Sequence, residues 1–146
     1  QGKFLFLEDV QDPGNVGTMI RTADAAGFTG VIVSDKSADI YSLKTLRSMQ
    51  GSHFHLPIYR MSLASFVEEA KKTAMPILAT TLSKESKDYR ELSPLENFAL
   101  VMGNEGQGIS SVMAESADQL VHIGMKGRAE SLNVAVAAGI LMFYFS

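Results

Sequence analysis

Apolar residues fall in short runs separated by amphipathic stretches, and that alternation sets the expected fold class. Six runs have strand length and composition: Phe4–Leu7, Val31–Ser34, Pro57–Tyr59, Ile77–Thr81, Phe98–Met102 and Leu120–Ile123. Helical patterns separate most of them. They are Asn15–Ala26, Leu43–Met49, a segment from Ser62 or Ser65 to Ala74, Ser110–Ser116 and Leu132–Phe145. Gly27 stands where a helix C′ residue belongs, and Phe66, Val67 and Ala70 share one helix face. Strand alternating with helix predicts an α/β fold, a parallel sheet with helices on both faces. No repeat or linker interrupts the pattern, so residues 1–146 read as a single domain. The polar segment Ser83–Ser93 is expected to be a mobile loop.

Composition narrows the function classes. The hydrophobic share of 46% is enough for one core without staples. No cysteine is present, which removes disulfides and thiolate metal sites and fits a reducing, cytoplasmic location. The longest apolar run, Val134–Phe145, is too short for a membrane span and reads as a buried helix. With 13 basic and 16 acidic residues the net charge is −3, which disfavours autonomous gripping of nucleic acid but allows chemistry on RNA held by another element. The chain begins at Gln1 rather than Met, and an upstream N-terminal RNA-binding domain is therefore expected.

Three glycine- and asparagine-containing segments each follow a predicted strand: Asp12–Ala23, Met102–Ser110 and Ile123–Ala138. Loops after strands line the ligand crevice of a parallel sheet, so all three are candidates for one site. The middle segment has the glycine spacing of a P-loop at Gly103 and Gly108. Ile109 takes the place of its lysine, and Glu105 would repel phosphate. No segment carries the dinucleotide-binding glycine pattern. His53 and His55 could share a strand face but lack a third ligand, so no metal is expected. His122 reads as structural. Ser131 lacks the glycine elbow of a hydrolase nucleophile.

Taken together, the segments resemble the three motifs of the SpoU (TrmH-like) RNA 2′-O-ribose methyltransferase family of the SPOUT superfamily. The first reads Asn15-x-Gly17-x3-Arg21-Thr22-Ala23. The second reads Gly103-Asn104-Glu105-Gly106-x-Gly108. The third reads Met125-x-Gly127-x2-Glu130-Ser131-Leu132-Asn133-Val134. The stretch Leu46–Pro57 also looks like the family's connecting segment, and the likeness covers essentially the whole chain. The chain departs from the pattern at Gly124, where the family has Pro, and at Ala135, where Ser is common.

The resemblance implies a C-terminal trefoil knot, with roughly Ile123 to Phe145 as the threaded segment. It implies S-adenosyl-L-methionine as cofactor, held by Thr81, Leu82, Met102, Gly103, Asn104, Gly108, Ile123, Met125, Ser131 and Leu132. It implies methyl transfer to a ribose 2′-hydroxyl of structured RNA, with ribosomal RNA favoured over transfer RNA. A non-catalytic RNA-binding or assembly module on the same fold is the alternative. Catalysis would fall to Arg21, Asn15, Glu105, Ser131 and Asn133. Two readings stand for several of these. Arg21 is either an activating base or, more plainly, a phosphate clamp, since a guanidinium stays protonated. Asn15 and Ser131 could be helix N-caps, and Glu105 either orients Arg21 or is a solvated loop carboxylate. A homodimer is implied too. The apolar face of the last helix, Val134, Ala138, Leu141, Met142 and Phe145, with Phe143 and Tyr144 on the other side, supports it. The basic pairs Lys44/Arg47 and Lys126/Arg128 could touch phosphates near the site.

Overall fold

The computed structural model describes residues 2–128 and 131–146. Seven strands occur in it: β1 (Lys3–Leu7), β2 (Gly30–Val33), β3 (Ile58–Arg60), β4 (Ile77–Thr80), β5 (Lys87–Asp88), β6 (Phe98–Met102) and β7 (Gln119–His122). They form one sheet in the order β3-β2-β1-β6-β4-β7-β5, and every neighbouring pair is parallel. Four α-helices lie between strands, α1 (Pro13–Ala25), α2 (Leu43–Met49), α3 (Leu63–Lys72) and α4 (Ser111–Ser116), and α5 (Val134–Phe145) follows β7. The expected parallel α/β sheet is what the chain forms.

Alternation along the central strands splits the core into two layers. Leu5, Leu7, Leu100 and Met102 face α1 and α5, packing with Ile20, Leu141 and Phe145. Phe6, Ala99 and Val101 face the other way, toward Phe66 of α3 and Met113 of α4. Phe6 and Phe66 stack with ring centroids 4.1 Å apart. Because both faces are covered, the strands read as unbroken apolar runs in the sequence.

Several expectations need correction. Ser83–Ser93 is not a free loop. It carries β5, which pairs with β7, then a 3-10 turn at Tyr89–Glu91, and the hydroxyl of Tyr144 donates to the Leu92 carbonyl at 2.6 Å. These partners are distant in sequence and leave no periodic trace. Asn15 is not the cap of α1. Asp12 is, accepting from the amides of Gly14 and Asn15, with Pro13 at the first helical position where its missing N–H costs nothing. Ser131 is not the cap of α5 either; Asn133 accepts from the amides of Ala135 and Val136. His53 and His55 lie in and after a 3-10 turn (Ser52–Phe54), not on a strand. Most of the expected dimer face of α5 is spent inside the chain: Ala138, Leu141, Met142 and Phe145 are core. The exposed stripe is instead Val136, Ile140 and Phe143. Among the described residues, no helix is long and apolar enough to cross a membrane.

Candidate active site

Parallel strands end on one edge of a sheet. Here the loops after β1, β6, β4 and β7 meet at that edge, because β1-β6-β4-β7 are consecutive neighbours. The β1 loop is fixed first. Asp9 takes a left-handed backbone with φ 55°, and its amide donates to the Ser34 hydroxyl at 2.7 Å while that hydroxyl donates back to its carboxylate. The β6 loop is tied on by Asn104, whose side-chain amide donates to the Asp9 carbonyl at 2.8 Å. Its carbonyl oxygen accepts from the amides of Gly106 and Gln107, closing the turn from within.

This loop needs glycine at 103. A β-carbon there would sit 2.3 Å from the Gly108 carbonyl carbon and 2.4 Å from the Ile109 nitrogen. The loop's two limbs touch backbone to backbone, which only a missing side chain permits. The result is a wall of main chain over a cavity of about 450 Å³.

The ten residues expected to hold a cofactor all line this cavity. Thr81 and Leu82 come from the β4 loop. Met102, Gly103, Asn104 and Gly108 come from β6 and its loop. Ile123 and Met125 come from the β7 loop, and Ser131 and Leu132 from the approach to α5. Sequence reasoning missed Thr80, Ser83, Gly106, Gln107, Ile109, Val121, His122, Val134, Ala137 and Leu141, which also line it. The last three read as plain core positions of an apolar helix, so no sequence signal separates them from the rest of α5.

At the rim, three of the five expected catalytic residues form a hydrogen-bonded row. Asn133 Nδ2 donates to Asn15 Oδ1 at 3.3 Å, and Asn15 Nδ2 donates to Glu105 Oε2 at 3.4 Å. Glu105 also accepts from the amides of Gln11 at 3.1 Å and Asp12 at 2.8 Å. Burial opposes ionisation of Glu105. Hydrogen bonds from the Asp12, Glu105 and Gln11 amides and the Asn15 side chain outweigh it, and the pKa falls below the usual 4.5. Glu105 is therefore a fixed acceptor, ionised at neutral pH.

Arg21 is not part of this row. Neither reading of Glu105 holds as stated: it does not pair with Arg21 and is not simply solvated, but binds the β1–α1 loop and Asn15, and Arg21 forms no ion pair among the described residues. Six residues along a helix place Arg21 about 120° around the axis from Asn15. Its side of α1 is exposed, like that of Thr18. Gly17, by contrast, is a packing residue, since a β-carbon there would meet Ser48 and the Thr45 carbonyl of α2. Ser131 faces the cavity, and Glu130 lies outside the described residues. Among the described residues, no group of three or more acidic or histidine side chains is placed to hold a metal.

Gly124 is explained by its neighbour. Its amide donates to Asp88 Oδ2 at 3.2 Å, and a β-carbon would lie 2.5 Å from that oxygen. Proline would lack both the N–H and the room.

Comparison with known proteins agrees with this fold. The model of the SpoU rRNA Methylase family matches residues 2–143. The 23S rRNA (guanosine(2553)-2′-O)-methyltransferase RlmP of Bacillus subtilis is 49% identical over 97% of this chain and 57% of its own length. The chain thus spans little more than half the length of the curated relatives it matches. The crystal structure of an AdoMet-bound rRNA methyltransferase from Sinorhizobium meliloti superposes with a TM-score of 0.93 at 40% identity, covering 99% of this chain and 56% of that one. A TrmH/SpoU tRNA modifying enzyme from A. aeolicus superposes at 0.87 with 35% identity, covering 98% of this chain and 73% of that one.

Proposed function

Since the chain belongs to the SpoU rRNA Methylase family, we propose that it transfers a methyl group from S-adenosyl-L-methionine to a ribose 2′-hydroxyl of ribosomal RNA. The observation that carries this reading is the Asn133–Asn15–Glu105 row at the rim of the glycine-walled cavity. A small-molecule site and a polar, pre-organised rim meet at one edge of the sheet.

The cavity fits the cofactor. Its volume falls within the ~300–1,000 Å³ of small-molecule sites. Its walls mix backbone of the β6 loop with Leu82, Ile109, Ile123 and Leu132, suiting an adenine ring beside polar groups. Bound S-adenosyl-L-methionine would supply an electrophilic methyl group. The chain's own residues would orient the acceptor. Asn15 and Asn133 present amide groups to a ribose, and Glu105, held ionised, fixes the rotamer of Asn15. Ser131, which lines the same cavity, would offer its hydroxyl to a ribose or phosphate oxygen. Arg21 clamps an RNA phosphate, a task that suits a permanently charged fork.

In this reading Arg21 serves the site of a second copy of the chain. Val136, Ile140 and Phe143 expose an apolar stripe on α5, 51%, 37% and 54% accessible. The stripe runs beside α1, where Gly139 lies against Thr22. A homodimer hiding it would bring Arg21 of one protomer to the rim of its partner. The same reading gives the segment Ile123 to Phe145 the threaded path of a trefoil knot. It also places the protein in the cytoplasm with its RNA. Ribosomal RNA is chosen because the 49%-identical relative is named for it. The net charge of −3 supports RNA grip being supplied largely outside these 146 residues. Calorimetry with S-adenosyl-L-methionine tests the reading: about one site per chain is expected, and no heat or thermal shift contradicts it.

A further inference from the structure

Asp88 accepts four hydrogen bonds beside the loop that follows β7. Its Oδ1 accepts from the amide and Nε of Arg90, both at 2.9 Å, and its Oδ2 accepts from Arg90 Nη2 at 2.8 Å. The same Oδ2 accepts from the amide of Gly124 at 3.2 Å, across 36 residues of sequence. Hydrogen bonds from Arg90 hold the Asp88 carboxyl well below the usual carboxylate range. An ion pair two residues apart with a half-exposed arginine contributes little to stability by itself. Its geometry here serves something else.

Gly124 is the partner that shows what. Its φ lies outside the left-handed region, so conformation does not demand glycine there. Space does: a β-carbon would sit 2.5 Å from Asp88 Oδ2 and 3.3 Å from Arg90 Nη2. The residues on either side, Ile123 and Met125, both line the cavity. Asp88 is itself anchored and cannot drift with the loop it holds. Its strand pairs with β7 at Val121 and His122, the Ser86 hydroxyl meets His122 Nδ1 at 2.8 Å, and Tyr89 packs edge-on to Tyr144 at 4.9 Å.

We infer that Asp88, oriented by the two-pronged grip of Arg90, is a positioning residue that holds the Gly124 amide and so sets Ile123 and Met125 in the cofactor wall. Asp88 and Arg90 act through the loop and touch no ligand. The inference rests on the reading of this cavity as the S-adenosyl-L-methionine site. In that reading the pair sets affinity for the cofactor and leaves the chemical step alone. Asp88 and Gly124 are also a coupled pair: with the carboxylate in place position 124 admits no side chain, and without it a proline's fixed φ can restore rigidity by another route.

The test is a double-mutant cycle on the complete protein with Asp88→Ala, Gly124→Pro and the double variant. Calorimetry with S-adenosyl-L-methionine and single-turnover kinetics at saturating cofactor are read together. Asp88→Ala should raise the cofactor Kd about tenfold, the size expected for losing one charge-assisted hydrogen bond to a binding loop. The saturated rate should stay within twofold. Gly124→Pro should bind worse than wild type, and the double variant better than Gly124→Pro. Cofactor affinity unchanged in Asp88→Ala, or effects that simply add in the double variant, would overturn the inference. Amide hydrogen exchange without cofactor provides an independent arm. Protection at the Gly124 amide, the one that donates to Asp88, should fall in Asp88→Ala, and unchanged protection would overturn the inference as well. A wild-type protein that binds no cofactor would overturn the reading of the cavity, while the exchange arm would still decide the role of Asp88.

Discussion

Asn133 and Asn15, 118 residues apart in sequence, meet through an amide-to-carbonyl hydrogen bond of 3.3 Å. Each begins the working end of a helix. Asn15 lies in the first turn of α1, and Asn133 caps α5 with the carbonyl oxygen that leaves its amide nitrogen free to donate. One side chain thus starts a helix and joins the rim of the cavity. Asn133→Ala should remove both functions. We expect loss of about 1 kcal/mol from the cap and at least a hundredfold lower methyl transfer. Asn133→Asp should keep the cap and lose the donor. Chemical denaturation beside single-turnover kinetics separates the two. Normal activity in Asn133→Asp would remove Asn133 from the reaction.

Arg21→Ala should abolish methyl transfer while leaving S-adenosyl-L-methionine affinity within a few-fold, because Arg21 lies outside the cavity wall. Mixing Arg21→Ala with Asn133→Ala subunits tests the dimer assignment. If Arg21 serves the partner's rim, statistical mixing should restore about a quarter of wild-type activity, since half the dimers are mixed and one of their two sites is whole. No recovery would put Arg21 and Asn133 to work within one chain.

The exposed stripe on α5 makes a separate claim. Replacing Ile140 or Phe143 by Asp should leave the core intact, because neither residue belongs to it, and should yield monomers by light scattering. A dimer that survives both changes would locate the interface elsewhere.

The acidic limb of the pH dependence follows from Glu105. Its folded pKa lies below the ordinary 4.5. Its contribution to stability is therefore fully present above about pH 4.5 and is lost as pH falls through the lower folded value. Thermal unfolding should be insensitive to Glu105→Gln once the carboxylate is protonated, well below pH 4. Near neutral pH the variant should be less stable by roughly 1 kcal/mol, a small figure because Glu105 is largely exposed. An equal difference at both pH values would contradict the role given to its hydrogen bonds.

The parts of this molecule that were legible in the sequence are those written in local pattern. The run Phe98–Met102 is apolar throughout because the strand it forms is buried on both faces, and its bounds match β6. The loops after strands were legible through their motifs, and the structure gathers the expected cavity residues onto one edge. What escaped reading depends on partners far away. β5 is two polar residues long and is a strand only because β7 accepts it. Asn15 looked like a cap because asparagine caps helices well, but the neighbouring Asp12-Pro13 pair starts the helix earlier. Charge alone left Glu105 open between pairing with Arg21 and standing in solvent. Two backbone amides of the β1–α1 loop, invisible as sequence features, take its carboxylate instead. The departure at Gly124 made sense only once Asp88 stood beside it.

The central claim is that a ribose 2′-hydroxyl receives the methyl group. The most direct measurement incubates the complete protein and S-adenosyl-L-methionine, labelled in the methyl group, with total RNA from cells lacking the intact gene, followed by alkaline hydrolysis. A 2′-O-methyl group blocks cleavage at its own nucleotide. The account predicts label confined to an alkali-resistant dinucleotide from ribosomal RNA, absent with Arg21→Ala and absent when the RNA comes from cells that keep the gene. Label released in mononucleotides, which would place the methyl group on a base, or no transfer to any RNA, would contradict it.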